Sequence, residues 1–391
     1  MKIKPFYNNG CLYFIICFLM FTLTTMYPDN LLIDTPHLVL KYMSPTTIIS
    51  LIGLGLIFIR AIFGCMYIDN VTMFLIMRII LSLVPIFYIN DVPDFFGNIE
   101  TTILCVISYY IAYNFVDDPK KIKIEMMSLF LIIVIQVILE SYLGPISFFD
   151  DAYYYKNNLI LPIGGSNAIA AIIIPCFSYL LCTLESKTNK VIVFILALFS
   201  VILTKSRSGI IALILMFFMV EILKKNIDIK KIFKFLIIIT LSSIIFILLF
   251  KNSGTLISVF SKTNNTVLER FERWSISFEL FIEHPIFGVS YLVQRADINP
   301  HNWIMNILAS NGLMGIILVF LMFLSIYNKL KGNMNDNIII GALCFVLAIL
   351  LQGLGEITLF TSRTDFFFWF MVGIAMKEVS IQKNNRNIDY A

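Results

Sequence analysis

Apolar residues in this chain come in long blocks, not in the short alternation of a soluble protein. Apolar runs fall near 10–27, 45–63, 71–89, 99–116, 126–143, 165–184, 190–204, 208–223, 233–250, 303–327, 338–355 and 361–376. A helix needs about 20 such residues to cross the hydrocarbon core of a bilayer. The pattern predicts an all-α polytopic membrane protein with about 12 transmembrane helices, or about 11 if the short seventh, eighth and twelfth runs do not each cross. One long polar stretch, residues 251–302, separates the ninth run from the tenth. The chain therefore divides into spans one to nine over 1–250, a large outer loop over 251–302, and spans ten to twelve with a cytoplasmic tail over 303–391. Inside that loop the rhythm changes. Phe271, Trp274, Phe278 and Phe281 recur at spacings of three and four, with Glu272, Glu279 and Glu283 on the opposite face. That is an amphipathic helix suited to a membrane surface, and Pro285 and Gly288 end it.

Composition agrees with the pattern: 59% of the residues are hydrophobic and 14% charged, too much apolar surface for a soluble domain to cover. The placement of charge adds an orientation. With the N-terminus inside, most lysines and arginines fall in segments that then face the cytoplasm, as short cytoplasmic loops require. Both termini are expected to be cytoplasmic and the 251–302 loop to face outward, across a cytoplasmic (inner) membrane. The first apolar run follows MKIK but no small-residue cleavage site follows it, so it reads as a span and not a signal peptide. A net charge of +4 follows from the same bias and gives no reason to expect nucleic acid. The cysteines form no close CxxC pair and the three histidines no cluster, so neither a disulfide framework nor a metal site is predicted. No Walker loop or Rossmann glycine pattern is present, which argues against an ATP-driven pump.

Candidate chemistry concentrates on the outward side. At about 100° per residue, Arg270 borders the aromatic stripe and Arg273 turns toward the glutamates, where Glu269 stands in the i, i+4 order of a surface ion pair. Arg270 is thus the better candidate for contact at headgroup level, although an interfacial helix that only solvates its arginines shows the same spacing. His301 precedes Asn302, a reasonable N-cap for the tenth span, and the position suits a neutral base or acceptor. In the turn Thr204–Gly209, Lys205 and Arg207 oppose the inside-positive tendency, which suggests an anionic partner or a structural pairing. Arg78 is expected to snorkel, and Glu140, Glu356 and Arg363 rank second. Tyr153, Tyr154, Tyr155, Asp150 and Asp151, ahead of the sixth span, offer sugar-binding faces or interfacial anchors.

In order along the chain, SRSG at the start of a span (Ser206–Gly209), R-x-x-x-W (Arg270–Trp274), HPIFG (His284–Gly288) and PHN (Pro300–Asn302) lead into an apolar helix with Gly312 and Gly315. These motifs resemble the O-antigen ligase and O-antigen/capsule polymerase superfamily over roughly residues 190–327. The resemblance implies a helical fold with a large periplasmic loop between two late spans. It also implies an inverting glycosyl transfer from an undecaprenyl-pyrophosphate-linked saccharide, with no metal or other cofactor. By motif, Arg207 and Arg270 would bind the pyrophosphate and His301 would assist the acceptor hydroxyl, making these three the catalytic candidates. Lys205, Arg273, Asn302 and Tyr154 are the candidate substrate-binding residues, and Lys205 is not part of the family pattern. The expected function is polymerisation of lipid-linked repeat units into a surface polysaccharide. Its partners would be lipid-linked oligosaccharides as donor and acceptor, membrane lipid and a chain-length regulator. The alternatives are a ligase passing the finished glycan to lipid A core or another acceptor, and, from another class, a lipid-linked oligosaccharide flippase.

Overall fold

The computed structural model describes residues 10, 12–16, 45–63, 69–88, 92–144, 148, 155–156, 158–161, 163–224, 263–289, 299–356, 358–359 and 362–389. The expected span near 233–250 and the loop residues 251–262 and 290–298 lie outside them. The described chain is mostly helical: α1 (Pro45–Phe63), α2 (Asn70–Leu83), α3 (Val92–Phe115), α4 (Ile122–Leu143), α5 (Ser166–Thr183), α6 (Lys187–Leu203), α7 (Arg207–Leu223), α8 (Thr263–Glu283), α9 (Trp303–Leu330), α10 (Asn337–Gln352) and α11 (Ser362–Asp389). Two short strands, β1 (Ile160–Leu161) and β2 (Gly164–Gly165), pair antiparallel with Ile160 opposite Gly165. The starts of several helices are chemically marked. Asp69, Ser186, Ser206, Asn302 and Asp336 each turn a side-chain oxygen onto the free N–H groups of the helix that follows, the usual satisfaction of an N-terminus.

Burial sorts these helices into inner and outer ones. α5 is apolar around its whole circumference and buried from Ile169 to Cys182, as is α11 from Phe366 to Met376, the behaviour of helices surrounded by other helices. α5 packs against α10, α4, α6 and α7, and α11 packs against α3 and α10. The outer helices show the reverse of a soluble surface. Phe58, Ile62, Ile80, Ile135, Ile195, Ile211 and Phe320 are all exposed, and a surface this apolar belongs in lipid. Among the described residues, Pro119–Leu143, Ser166–Thr183 and Trp303–Asn333 are long and apolar enough to cross a membrane, with shorter apolar helices at Ile49–Ile59, Asn70–Leu83, Thr102–Phe115 and Asn337–Gln352. The described residues form a mostly helical integral membrane protein.

One charge departs from expectation. Arg78 does not snorkel: it is 3% exposed, inside the bundle, beside Cys105 of α3 and Asp365 of α11. A guanidinium held in the interior needs an internal counter-charge, and Asp365 supplies it. At one end of the bundle Asp69 accepts from Tyr109 Oη at 2.7 Å and Lys329 Nζ at 2.8 Å, tying α2, α3 and α9 together. The candidate residues gather at the other end.

Candidate active site

Two of the helices at that end begin in the same way. The residue before each cap lies in the left-handed region, Lys205 at φ 51° ahead of α7 and His301 at φ 48° ahead of α9. Ser206 then accepts from Gly209 N–H at 3.2 Å, and Asn302 Oδ1 from Ile304 and Met305 N–H at 2.9 and 3.2 Å. A left-handed non-glycine residue costs about 1–3 kcal/mol, so each turn persists because its surroundings hold it. The two turns make Arg207 the first residue of α7 and put His301 at the mouth of α9.

HPIFG forms the third side. α9 is broken at Gly312, where φ is 61° and ψ −157°, so the next turn loses its intrahelical acceptors. Loop carbonyls replace them: Leu313 N–H donates to Pro285 at 2.9 Å and Met314 N–H to Ile286 at 3.1 Å, while Val289 N–H donates to Ala309 at 2.8 Å. Gly288 (φ 69°) and Gly312 lie so close to the opposing backbone that a β-carbon on either would collide with it. Tyr88 closes the seam, stacking on His284 at 4.9 Å and donating to the Gly288 carbonyl at 2.5 Å. The seam fixes the direction of α8. Ser277 is 1% exposed, whereas Phe271 and Phe278 are 59% and 49% exposed, so part of the aromatic stripe faces away from the protein and Arg270 lies on the face toward it.

These pieces converge on Glu356, in the turn after α10. Its Oε2 is 2.9 Å from His301 Nδ1, and its Oε1 is 3.6 Å from Arg270 Nη2. Asn167 Nδ2 of α5 donates a short hydrogen bond to the same Oε1. Asn167 Oδ1 in turn accepts from Ser206 Oγ at 2.8 Å, and Gln352 Nε2 donates to Ser208 Oγ at 3.2 Å. The adjoining Gly355 is closely packed without the collisions of the seam: a β-carbon there would stand 3.2 Å from Ser208 Cβ and in ordinary contact, 3.7 Å, with Arg270 Nη1. The turn that carries Arg207 is therefore locked against the one that carries Glu356. Lys156, just before the small hairpin, feels the charges of Arg207, Arg270 and Glu356. Burial, assisted by the two arginines and opposed by Glu356, holds its ammonium below the usual lysine range. Arg207, Arg270 and Lys156 set against Glu356 leave an excess of positive charge, which favours an anionic ligand. Among the described residues no group of three or more His, Cys, Asp or Glu side chains is placed to hold a metal ion.

The structure thus brings Arg270 and His301 together and sets Arg207 on the adjoining turn. The other candidates are engaged elsewhere. Lys205 Nζ donates to the Phe148 carbonyl at 2.7 Å and lies 4.4 and 4.6 Å from the ring centroids of Phe148 and Tyr155. Arg273 donates to the Asn299 carbonyl at 3.3 Å, next to the Trp274 Nε1 bond to Pro300. Asn302 uses its amide on the Leu354 carbonyl at 3.1 Å as well as capping α9. Tyr154, with Tyr153, Asp150 and Asp151, lies outside the described residues. Tyr155 is buried and shares a hydrogen bond with Ser141 at 2.8 Å, so it packs and presents no face to a sugar. Of the three groups that complete the site, only Glu356 was among the sequence candidates, ranked second as an acid near the end of a span; Lys156 and Asn167 gave no signal.

A comparison with curated proteins finds no match. Residues 192–320, which include Arg207, Arg270 and His301 and exclude Lys156, Asn167 and Glu356, match the family model Wzy_C, described as O-antigen ligase. Residues 192–320 of the chain are therefore similar to the O-antigen ligase and polymerase superfamily.

Proposed function

We propose that the protein polymerises undecaprenyl-pyrophosphate-linked oligosaccharide repeat units into a surface polysaccharide on the outer face of the cytoplasmic membrane, without a metal ion. The observation that carries this reading is the meeting of Arg270 and His301 on Glu356, beside the turn that holds Arg207. In the reaction, an acceptor hydroxyl oxygen attacks the anomeric carbon of the donor from the side opposite the pyrophosphate. The new C–O bond forms as the bond to the phosphate oxygen breaks, and its electron pair leaves with the pyrophosphate. Configuration at that carbon inverts. Guanidinium groups of Arg207 and Arg270 stabilise the charge developing on the leaving group, as planar donors suited to phosphate oxygens. The hydroxyl proton passes to His301 Nε2. A carboxylate at 356 accepts from Nδ1–H, which leaves Nε2 as the acceptor. The bilayer holds the lipid tail, so the reacting carbon stays at the membrane surface.

The second reading, a ligase that moves a finished glycan to another acceptor, uses the same donor chemistry and is favoured by the wording of the family description. Size-resolved surface glycan from a deletion strain separates the two. A polymerase deletion leaves glycan of one repeat unit, whereas a ligase deletion leaves long chains on the lipid carrier. An unchanged profile would overturn both.

A further inference from the structure

We infer that Glu356 is the positioning residue that couples the donor and acceptor halves of this site: it holds His301 in the base-competent tautomer and Arg270 where the donor phosphates arrive. The inference rests on the glycosyl-transfer reading above. The two carboxylate oxygens have separate work. Oε2 takes the Nδ1 side of His301 at 2.9 Å, and Oε1 takes Asn167 and, more loosely at 3.6 Å, Arg270. The Glu356 side chain is 18% exposed, against 38% for Arg270 and 34% for His301. The carboxylate is thus the inner member, and the guanidinium and imidazole are the outer members that can meet a substrate. Its orientation is not free either, because Asn167 is held by Ser206, the cap of α7. The contact to Arg270 is long and uses few of the guanidinium donors, so phosphate oxygens have others to bind.

This arrangement needs a group that accepts on both sides, and only a carboxylate does so. An amide at 356 places an acceptor on one side and a donor on the other. Facing its oxygen to Asn167 and Arg270 turns its NH2 toward His301 Nδ1. The imidazole must then carry its hydrogen on Nε2, the nitrogen that has to receive the hydroxyl proton. Glu356 itself neither gains nor loses a proton during the transfer; it stabilises the imidazolium that forms, the role a carboxylate takes behind a histidine base in hydrolytic triads.

The test uses membranes containing the full-length protein at matched abundance, supplied with lipid-linked oligosaccharide extracted from the deletion strain. Glu356→Gln is expected to lower kcat by about 100-fold or more, the scale of a mispositioned general base, with the donor KM within about 3-fold. Combining Glu356→Gln with His301→Ala should be no slower than His301→Ala alone, since a residue that acts through another adds nothing once that partner is gone. Glu356→Asp, which keeps two acceptors on a shorter arm, should recover at least about tenfold over the amide, a rescue that general loss of folding would not give. A kcat for Glu356→Gln near wild type would overturn the inference, as would multiplicative losses in the double variant. Should the amide variant fail to accumulate, Glu356→Asp alone and with His301→Ala decides by the same non-additivity. If Arg270→Ala and His301→Ala both retain normal rates, the glycosyl-transfer reading fails instead.

Discussion

Arg270 and Arg273 are one helical turn apart on α8, and that short step gives them different work. Arg270 reaches Glu356 inside the site; Arg273 donates to the Asn299 carbonyl. Arg270→Ala should abolish polymer at normal membrane abundance, and Arg270→Lys should not restore it, because an ammonium cannot reproduce a planar two-donor contact. Arg273→Ala removes the long hydrogen bond to the Asn299 carbonyl, of a kind worth about 1 kcal/mol, and should shorten the glycan only slightly. Glycan length on gels, at equal protein level, checks all three. Lys156 gives a pH-dependent prediction. Its ammonium is held below the usual lysine range, so as pH rises it loses its charge before an ordinary lysine does, and the positive excess at the site falls with it. The donor KM should therefore climb on the alkaline side while kcat changes little. Lys156→Arg should flatten that climb, and Lys156→Met should show a raised KM, by about tenfold, at every pH; a flat wild-type profile would remove Lys156 from the donor site.

At the scale of elements, the seam between HPIFG and the broken α9 sets the geometry. Gly288 and Gly312 hold positive φ with opposing backbone where a β-carbon would go. Gly312→Ala should cost at least about 2 kcal/mol, from a left-handed alanine plus the displaced carbonyl of Ile286. Gly332→Ala, where nothing stands within 4 Å of the added atom, should stay within about 0.5 kcal/mol. Thermal unfolding of the detergent-solubilised protein measures the difference. The elements themselves were largely legible in the sequence, because an apolar block and a stop signal are both local. α5, α7, α9 and α10 begin within a residue or so of the runs that announce them, and the Asn302 cap sits where the sequence marks it. The partners were less legible: Glu356 ranked only second, and Lys156 and Asn167 gave no signal. Glu356 looks like any acid ending a span, and its importance arises from α5, α8 and α9 closing around it. Lys205 shows the opposite failure: a cation in a suggestive motif, whose length lets it fold back onto Phe148 and Tyr155.

At the scale of the whole molecule, among the described residues, Arg207, Arg270, His301 and Glu356 gather at one end of the bundle and Asp69 and Lys329 at the other. If the first end is extracytoplasmic, as the basic residues suggest, a cysteine replacing the exposed Glu279, in a background without native cysteines, should react with an impermeant thiol reagent applied from outside. A cysteine replacing the exposed Lys331 should react only after the membrane is opened. Reversed labelling would put the site on the wrong side for a donor displayed outside. The exposed Phe271 and Phe278 on α8 suit the same end resting in the outer lipid surface.

The interlocking of Pro285 and Ile286 with the N–H groups of Leu313 and Met314 also bears on how such a protein can be re-engineered. A chimera that imports α8 and its HPIFG from another sequence brings the acceptors of a splice whose donors stay behind in the host helix. Because those donors are main-chain groups that any host helix supplies, the exchange keeps the splice only where the host carries a glycine at 312, whose φ of 61° frees them.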